Sequence, residues 1–422
     1  MARLLAAIPV PALFAAGPGQ AVPPALPGSI TPEDDSFLDG VEKASFQFFW
    51  EQAHPETGLV KDRCDVRKRD TTTVASIAAT GFGLTALCIG QQRGWVSQAD
   101  ARHRVLATLE FLWKKMPTHR GFFFHYASWD TGERTWESEV SSIDTAILLC
   151  GVLTCYQQFR NGAIRRLARA ILARVDWSWL SEDTALLTHG WAPEVGFLPY
   201  RWDYYSENMM IYLLGLGSVT HPLGAEAWNA WKRVTFDYEG VRYIGSYAPL
   251  VVHQYSQAWF DFRKKRDKYA DYFQNSILAT EVHRRFCIEL AKQFPDYGPD
   301  LWGITSSDSK TGYVVWGGPP EIGPIDGTVV PSAAGGSLPF LPEPCLRVLK
   351  NIRNHYGEAW SRYGFVNAFN PLTKWYDSDV IGIDTGITML MAENLRTGFV
   401  WNTFMKNREA QRGIERAGFV PD

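Results

Sequence analysis

The 422-residue chain lacks the clustered basic excess that phosphate-backbone binding requires: 42 Lys and Arg face 45 Asp and Glu, a formal net charge of -3. Its one dense basic run, Arg263-Lys264-Lys265-Arg266, is followed at once by Asp267 and Asp271 and reads as a solvated helix face. No nucleic-acid partner is expected. Cysteine is scarce, six residues (Cys64, Cys88, Cys150, Cys155, Cys287, Cys345), with no CxxC and no Cys/His ligand spacing. No metal or other cofactor is therefore expected. Cys88, Cys150, Cys155 and Cys287 sit in apolar helical patterns, where a thiol behaves as a small hydrophobe; disulfides remain open, and spacing selects no pairing. A GxSxG nucleophile elbow is missing, and Gly335-Gly336-Ser337 has neither the Lys nor the spacing of a phosphate loop. Beyond the N-terminus no apolar run approaches the ~20 residues that span a bilayer.

What the chain has is aromatic residues: 14% of the sequence, with 17 Trp, 17 Tyr and 24 Phe. Large rings fill cores, and their flat faces also match the C–H faces of sugar rings. Composition alone does not separate the two uses.

The first residues carry Arg3, an apolar stretch Leu4 to Ala16 and the small-residue site Gly19-Gln20-Ala21, the pattern of an export signal over 1–21. Pro23, Pro24, Pro27 and Pro32 mark a linker over 22–35. A single catalytic domain over 36–422 and a periplasmic or secreted location are expected. From Ser36 on, helical periodicity recurs: Thr73 to Gly94, a helix capped by Ser97, Val140 to Phe159, Ala163 to Leu180, Glu207 to Leu216, Ala225 to Val234, Lys268 to Phe294, Pro344 to His355, Gly382 to Leu395 and Trp401 to Ala417. Only short strand-like pieces intervene, and no βαβ alternation appears. The expectation is all-α. Antiparallel helix pairs can close into a toroid with loops gathered at the rims, although a bundle or solenoid gives a similar pattern. Gly317 to Pro344 has no helical period and reads as a long functional rim loop.

Three places share one arrangement, an aromatic loop, a carboxylate, then an apolar helix. They are Trp129-Asp130 through Glu137-Ser138-Glu139 to Asp144, Trp202-Asp203-Tyr204-Tyr205-Ser206-Glu207, and Trp375-Tyr376-Asp377-Ser378-Asp379 to Asp384. Each acid alone is explained by helix capping. Three of them at loop–helix junctions on one rim fit glycosidic cleavage, which needs one protonated and one ionised carboxyl. Glu207, pressed between Tyr205 and Met209-Met210, is assigned as proton donor because desolvation raises a carboxyl pKa. Its partner is Asp384 or Asp144. His253-Gln254-Tyr255-Ser256 reads as a structural run or as hydroxyl recognition.

The strings FFWEQAHPETGLVKDR (Phe48 to Arg63), TVASIAATGFGLTAL (Thr73 to Leu87), EVSSIDTAILL (Glu139 to Leu149), YYSENMMIYLLGLGS (Tyr204 to Ser218) and HQYSQAWFDFR (His253 to Arg263) form one set. WGITSSD (Trp302 to Asp308), DGTVVPSAAGGSLPFLPE (Asp326 to Glu343) and IGIDTGITMLMAENLRTGFVW (Ile381 to Trp401) complete it. Together they resemble the bacterial glucoamylase-like domain of glycoside hydrolase family 144, in order from about Ser36 to the C-terminus. The resemblance implies an (α/α)6 toroid, or barrel, with long aromatic, Gly/Pro-rich rim loops. It implies endo-acting, inverting hydrolysis of β-1,2-glucan, with the acidic motifs on Asp144, Glu207 and Asp384. The substrate-binding set expected from these motifs is Asp62, Arg63, Trp129, Glu139, Tyr205, His253, Gln254, Trp302, Asp326 and Trp375. One departure is Gln257, where the pattern has His. The expected partner is a β-glucan polysaccharide or oligosaccharide, with no membrane insertion and a monomeric protein.

Three other readings compete. Relatives of this fold include enzymes that release sophorose from chain ends and enzymes that transglycosylate. A polysaccharide lyase would use Tyr204, Tyr205, His253 and Arg201. A non-catalytic glycan-binding protein would keep the aromatic cleft without the chemistry.

Overall fold

The computed structural model describes residues 30–246, 249–319 and 323–422. The expected export signal, and the linker as far as residue 29, lie outside the described residues. The first helix opens inside the stretch read as linker. Thr31 caps it and exchanges hydrogen bonds with Asp34, and Pro32 occupies the first turn, where its missing N–H costs nothing.

Helices alternate between two kinds. The first kind is buried on nearly every side: α2 (Ile77–Gln92), α4 (Ser142–Gln158), α7 (Met209–Gly217), α9 (Tyr255–Trp259), α11 (Pro331–Gly335) and α13 (Gly382–Arg396). The near-continuous apolar sequence of α2, α4 and α7, without a polar face, is what burial on all sides demands. The second kind buries one face and alternates with the first along the chain: α1 (Pro32–Glu51), α3 (Gln98–Lys114), α5 (Gly162–Ala173), α10 (Tyr272–Glu289) and α12 (Pro342–His355). Between α5 and α7 comes the single turn α6 (Trp177–Leu180). The sixth outer place is reduced to the turn α8 (Ala227–Ala230), with α7 covered instead by α15 (Arg408–Arg416), which follows α14 (Phe399–Phe404). Six inner and six outer positions make an (α/α)6 toroid.

Backbones of neighbouring inner helices approach closely through glycine. A Cβ on Gly151 would lie 2.2 Å from the Gly81 carbonyl oxygen, so α2 and α4 touch main chain to main chain there. Ring closure joins distant parts of the sequence. α13 packs on both α1 and α2, and the strand Arg63–Asp65 pairs antiparallel with Asp379–Ile381. Beneath this seam lies a buried charge network. Arg396 binds Asp35 at 2.7 Å, Asp39 at 3.1 Å and the fully buried Glu42 at 3.1 Å, while Arg93 holds Glu393 at 2.6 Å.

Four expectations change here. The helix read over Ala225 to Val234 is only Ala227–Ala230, because Val234–Tyr238 pairs as a strand with Val241–Gly245. Ala163 to Leu180 divides into α5 and α6, and Trp401 to Ala417 falls in α14 and α15. Gly317 to Pro344 is not all rim loop: it contains α11, an inner helix so short and so completely buried that no amphipathic period could announce it. All six cysteines are buried free thiols, with the Cys88 and Cys155 sulfurs 3.6 Å apart between α2 and α4.

Candidate active site

Alternation of inner and outer helices puts the inner N-termini at one rim, where short two-stranded ribbons lead into α2 and α13 and a small three-stranded sheet leads into α4. Asp144 and Asp384 occupy the third position of α4 and α13, and Glu207 stands just before Asn208, which opens α7. The carboxyls of all three act electrostatically on the Tyr255 hydroxyl, which tops α9, and Asp144 acts directly on Glu207. Three separate stretches of sequence thus deliver acid groups to one place.

Their surroundings differ. Asp144 accepts a 2.5 Å hydrogen bond from the Ser141 hydroxyl, and Ser141 in turn caps the helix. Burial raises the Asp144 carboxyl, and the nearby His125 opposes that rise. Asp384 accepts from Ser332 at 2.7 Å and from the Asn367 amide at 2.8 Å, one donor on each oxygen. Burial nevertheless lifts it to about 7: its two donors favour the charged form, and Asp308 adds to the rise. Glu207 has no side-chain hydrogen-bond partner among the described residues; burial and then Asp144 raise its pKa. The helix dipole favours the charged form at these positions, so desolvation is the stronger effect.

Sequence reasoning missed His125. Its Nδ1 lies 3.1 Å from Glu139, its Nε2 3.5 Å from Asp144, and its ring stacks on Tyr126 at 3.9 Å. Burial works against its charge, but Asp144 and Glu139 outweigh it and lift the imidazole to about 9. Nothing in the local pattern Phe124-His125-Tyr126 marked it, because its partners come from elsewhere in the chain. Ser332 and Asn367 escaped notice for the same reason.

Of the expected binding residues, the structure brings Asp62, Arg63 and Glu139 into this cluster. Arg63 Nε donates to Asp62 at 2.9 Å, and its Nη1 lies 2.5 Å from Asp308 and 3.4 Å from Asp379. Others it places elsewhere. Tyr205 is wholly buried, its hydroxyl 3.0 Å from His253 Nδ1, and burial pushes His253 down to about 3. Gln254 is buried and ties α9 to α11 by donating to Ala333 O and Ser337 Oγ. Trp302 is fully buried against His283. All four are buried side chains, with Tyr205 close enough to Glu207 to feel its charge. Trp129 is half-buried, with Lys61 4.5 Å over its ring and His54 against it edge-on. Asp326 is exposed and turns its carboxylate to the Thr328 N–H. Trp375 sits in a ribbon opposite Asn370. Gln257, the departure from the family pattern, is buried and donates to Tyr272 O and Ser276 Oγ, away from the acids.

Among the described residues, two groups of side chains have ligand atoms close enough to surround a metal ion, within 4.8 Å of one another: His125 with Glu139 and Asp144, and Asp308 with Asp377 and Asp379. In each a cation of the protein already balances the acids. The His125 imidazolium serves the first, and the Arg63 guanidinium the second.

The Glycoamylase family model matches residues 199–408, about half of the chain. An exo β-1,2-glucooligosaccharide sophorohydrolase (non-reducing end) of Parabacteroides distasonis is 28% identical over 91% of this chain. The chain spans only 58% of that curated relative's length. The endo-β-1,2-glucanase of Chitinophaga pinensis, solved with sophorotriose and glucose, is 28% identical with a TM-score of 0.85, covering 92% of this chain and 98% of its own. A β-1,2-glucanase structure from P. distasonis is 26% identical with a TM-score of 0.82, covering 91% of this chain and 60% of its own. Likeness of this extent in sequence and in fold, reaching well beyond the matched segment, is likeness to glucoamylase-like proteins and β-1,2-glucan hydrolases, and it agrees with the resemblance of the sequence motifs to glycoside hydrolase family 144.

Proposed function

We propose that the protein is an endo-acting glycoside hydrolase that cleaves β-1,2-glucan with a general acid and a general base. The observation that carries this reading is the convergence of Asp144, Glu207 and Asp384 on Tyr255 from three inner-helix ends. Support for the linkage comes from the β-1,2-glucan enzymes it is similar to.

Glu207 is the proton donor. Its carboxyl is free of side-chain hydrogen bonds, and both burial and the charge of Asp144 favour its protonated form. Asp384 is the base. Donors on both oxygens fix its orientation, and a value of about 7 suits proton uptake from water near neutrality. Asp144, with His125 at 3.5 Å, supplies the charge that keeps Glu207 protonated. Water activated by Asp384 attacks the anomeric carbon as Glu207 protonates the departing oxygen, so the anomeric configuration inverts. The apolar leader and its small-residue site support export to the periplasm or beyond, and the protein works as a monomer.

The test is incubation with linear β-1,2-glucan, with β-1,3-glucan, β-1,4-glucan and starch alongside, following product lengths and new reducing ends. Mixed short β-1,2-oligosaccharides from the earliest times, lost in Glu207→Gln, are expected. Sophorose alone from the outset would replace endo by exo action, and binding without any product would leave a glycan-binding protein.

A further inference from the structure

The loop after Tyr126 holds an aromatic side chain that the chemistry above does not use. Trp136 is 65% exposed, the most exposed of the tryptophans in this aromatic-rich chain. It and Glu137 adopt left-handed backbone conformations in succession, φ +56° and +50°. Non-glycine residues in that region are strained and persist only where the surroundings enforce them.

Enforcement is visible. Arg134 donates from Nε to the Ser138 carbonyl and from Nη2 to the Glu137 carbonyl, each at 2.5 Å, while binding both oxygens of Glu194 at 2.6 and 2.9 Å. Ser138 is buried, and its hydroxyl bonds both the N–H and the carbonyl of Tyr126. The strained turn is therefore locked to the strand that carries the active-site ring. Its result is to turn a large apolar ring outward. Among the described residues the one aromatic contact of Trp136 is with Tyr126, centroids 5.0 Å apart at 63°. Tyr126 in turn stacks on His125, which reaches Asp144. Trp129, in the same loop, has its ring occupied by Lys61 and His54.

We propose that Trp136 is the aromatic platform of an outlying glucosyl-binding subsite, holding β-1,2-glucan on the Asp144 side of the cleft at a distance from the scissile bond. This rests on the hydrolase reading for its substrate class. A flat apolar ring, rigidly held and open to solvent at the cleft edge, receives the C–H face of a glucosyl unit without reorganising. Longer chains reach it and shorter ones do not, so the loop sets the chain length at which affinity saturates.

The experiment measures kinetics on β-1,2-glucan and on β-1,2-glucooligosaccharides of increasing length for wild type, Trp136→Ala and Trp136→Phe. Calorimetric titration of the same glucans into Glu207→Gln, with and without Trp136→Ala, runs beside it. For the polymer, Trp136→Ala should raise KM roughly tenfold, the effect of losing one aromatic anchor, while kcat falls less than about twofold. The penalty should shrink as the oligosaccharide shortens, and Trp136→Phe should recover most of the affinity. An unchanged KM and unchanged affinity at every length would overturn the proposal. So would a loss in kcat alone, or a penalty independent of length, since both describe a strut of the loop. Absence of hydrolysis by the wild type, with binding by Glu207→Gln that Trp136→Ala weakens, would sink the hydrolase reading and leave the subsite standing.

Discussion

His125 and Asp144 lie 3.5 Å apart, nitrogen to carboxylate oxygen, and Glu139 holds the other ring nitrogen at 3.1 Å. A histidine between two acids keeps its proton where an ordinary imidazole has lost it. Through Asp144 its charge bears on Glu207, so one side chain without a bond to the proposed proton donor helps to set the field around it.

The first prediction concerns that charge. With a value of about 9 against the ordinary 6.5, His125 should titrate by NMR near 9. Its contribution to stability is complete below about 6.5, while the two carboxylates stay ionised, and is lost as pH rises through 9. Titration near 6.5 in the intact protein would refute the clamp.

Glu207→Gln and Asp384→Asn should each lower kcat on β-1,2-glucan by about 10²–10⁴-fold, the range of a lost acid or base. Retention of more than a tenth of the wild-type rate in either variant would remove that residue from the chemistry.

Asn367→Ala separates the two roles. The Asn367 amide lowers the pKa of Asp384, so its loss should raise a value already about 7. If Asp384 is the base, it must be ionised to act, and activity is lost as pH falls through its pKa. The acid limb of kcat/KM should then move to higher pH. Movement of the alkaline limb instead would make Asp384 the proton donor and exchange the assignments.

Arg396→Met should cost about 1–3 kcal/mol of stability, because it removes the donor shared by Asp35, Asp39 and the buried Glu42, whose carboxyl burial and Glu393 already push well above the usual range. Thermal unfolding measures this, and adding Glu42→Gln should recover part of the loss. A shift within a degree of wild type would mean that Arg93 alone balances the network.

Gly151→Ala tests the main-chain contact between α2 and α4. The new methyl would meet the Gly81 carbonyl oxygen at 2.2 Å, so a loss of about 1–3 kcal/mol or more is expected. Wild-type stability would show that the inner helices can part.

The fold was legible where burial is extreme. Inner helices such as α2 and α4 are apolar all round, and their alternation with amphipathic ones gave the helical layers, while the closure into a ring came from the resemblance and not from the period. Asp144, Glu207 and Asp384 were legible because each stands at the entry to an inner helix. The rest depended on partners distant in sequence. His125 is defined by Glu139 and Asp144, Asp384 by Ser332 and Asn367, and neither relationship leaves a local trace. Aromatic residues were harder to read: Trp302 and Tyr205, expected among the binding residues, are fully buried rings. Trp136, the exposed ring, differs from them in backbone conformation, which sequence does not display.

A seam that joins the two ends of a long chain also constrains how the chain can come to fold. Arg396 reaches Asp35 across 361 positions, and Arg63 pairs with Ile381. Contacts so remote in sequence form late, after the entropy of closing very large loops has been met. During synthesis the first inner helices emerge with their apolar flanks unmatched and stay so until the last helix is available. The nascent protein therefore passes through a long interval as an open arc, with exposed surface of the kind that chaperones bind. Truncation just before Gly382 removes α13, α14 and α15 and should leave that arc unclosed, so the loss would fall on the whole ring and not on the missing helices alone.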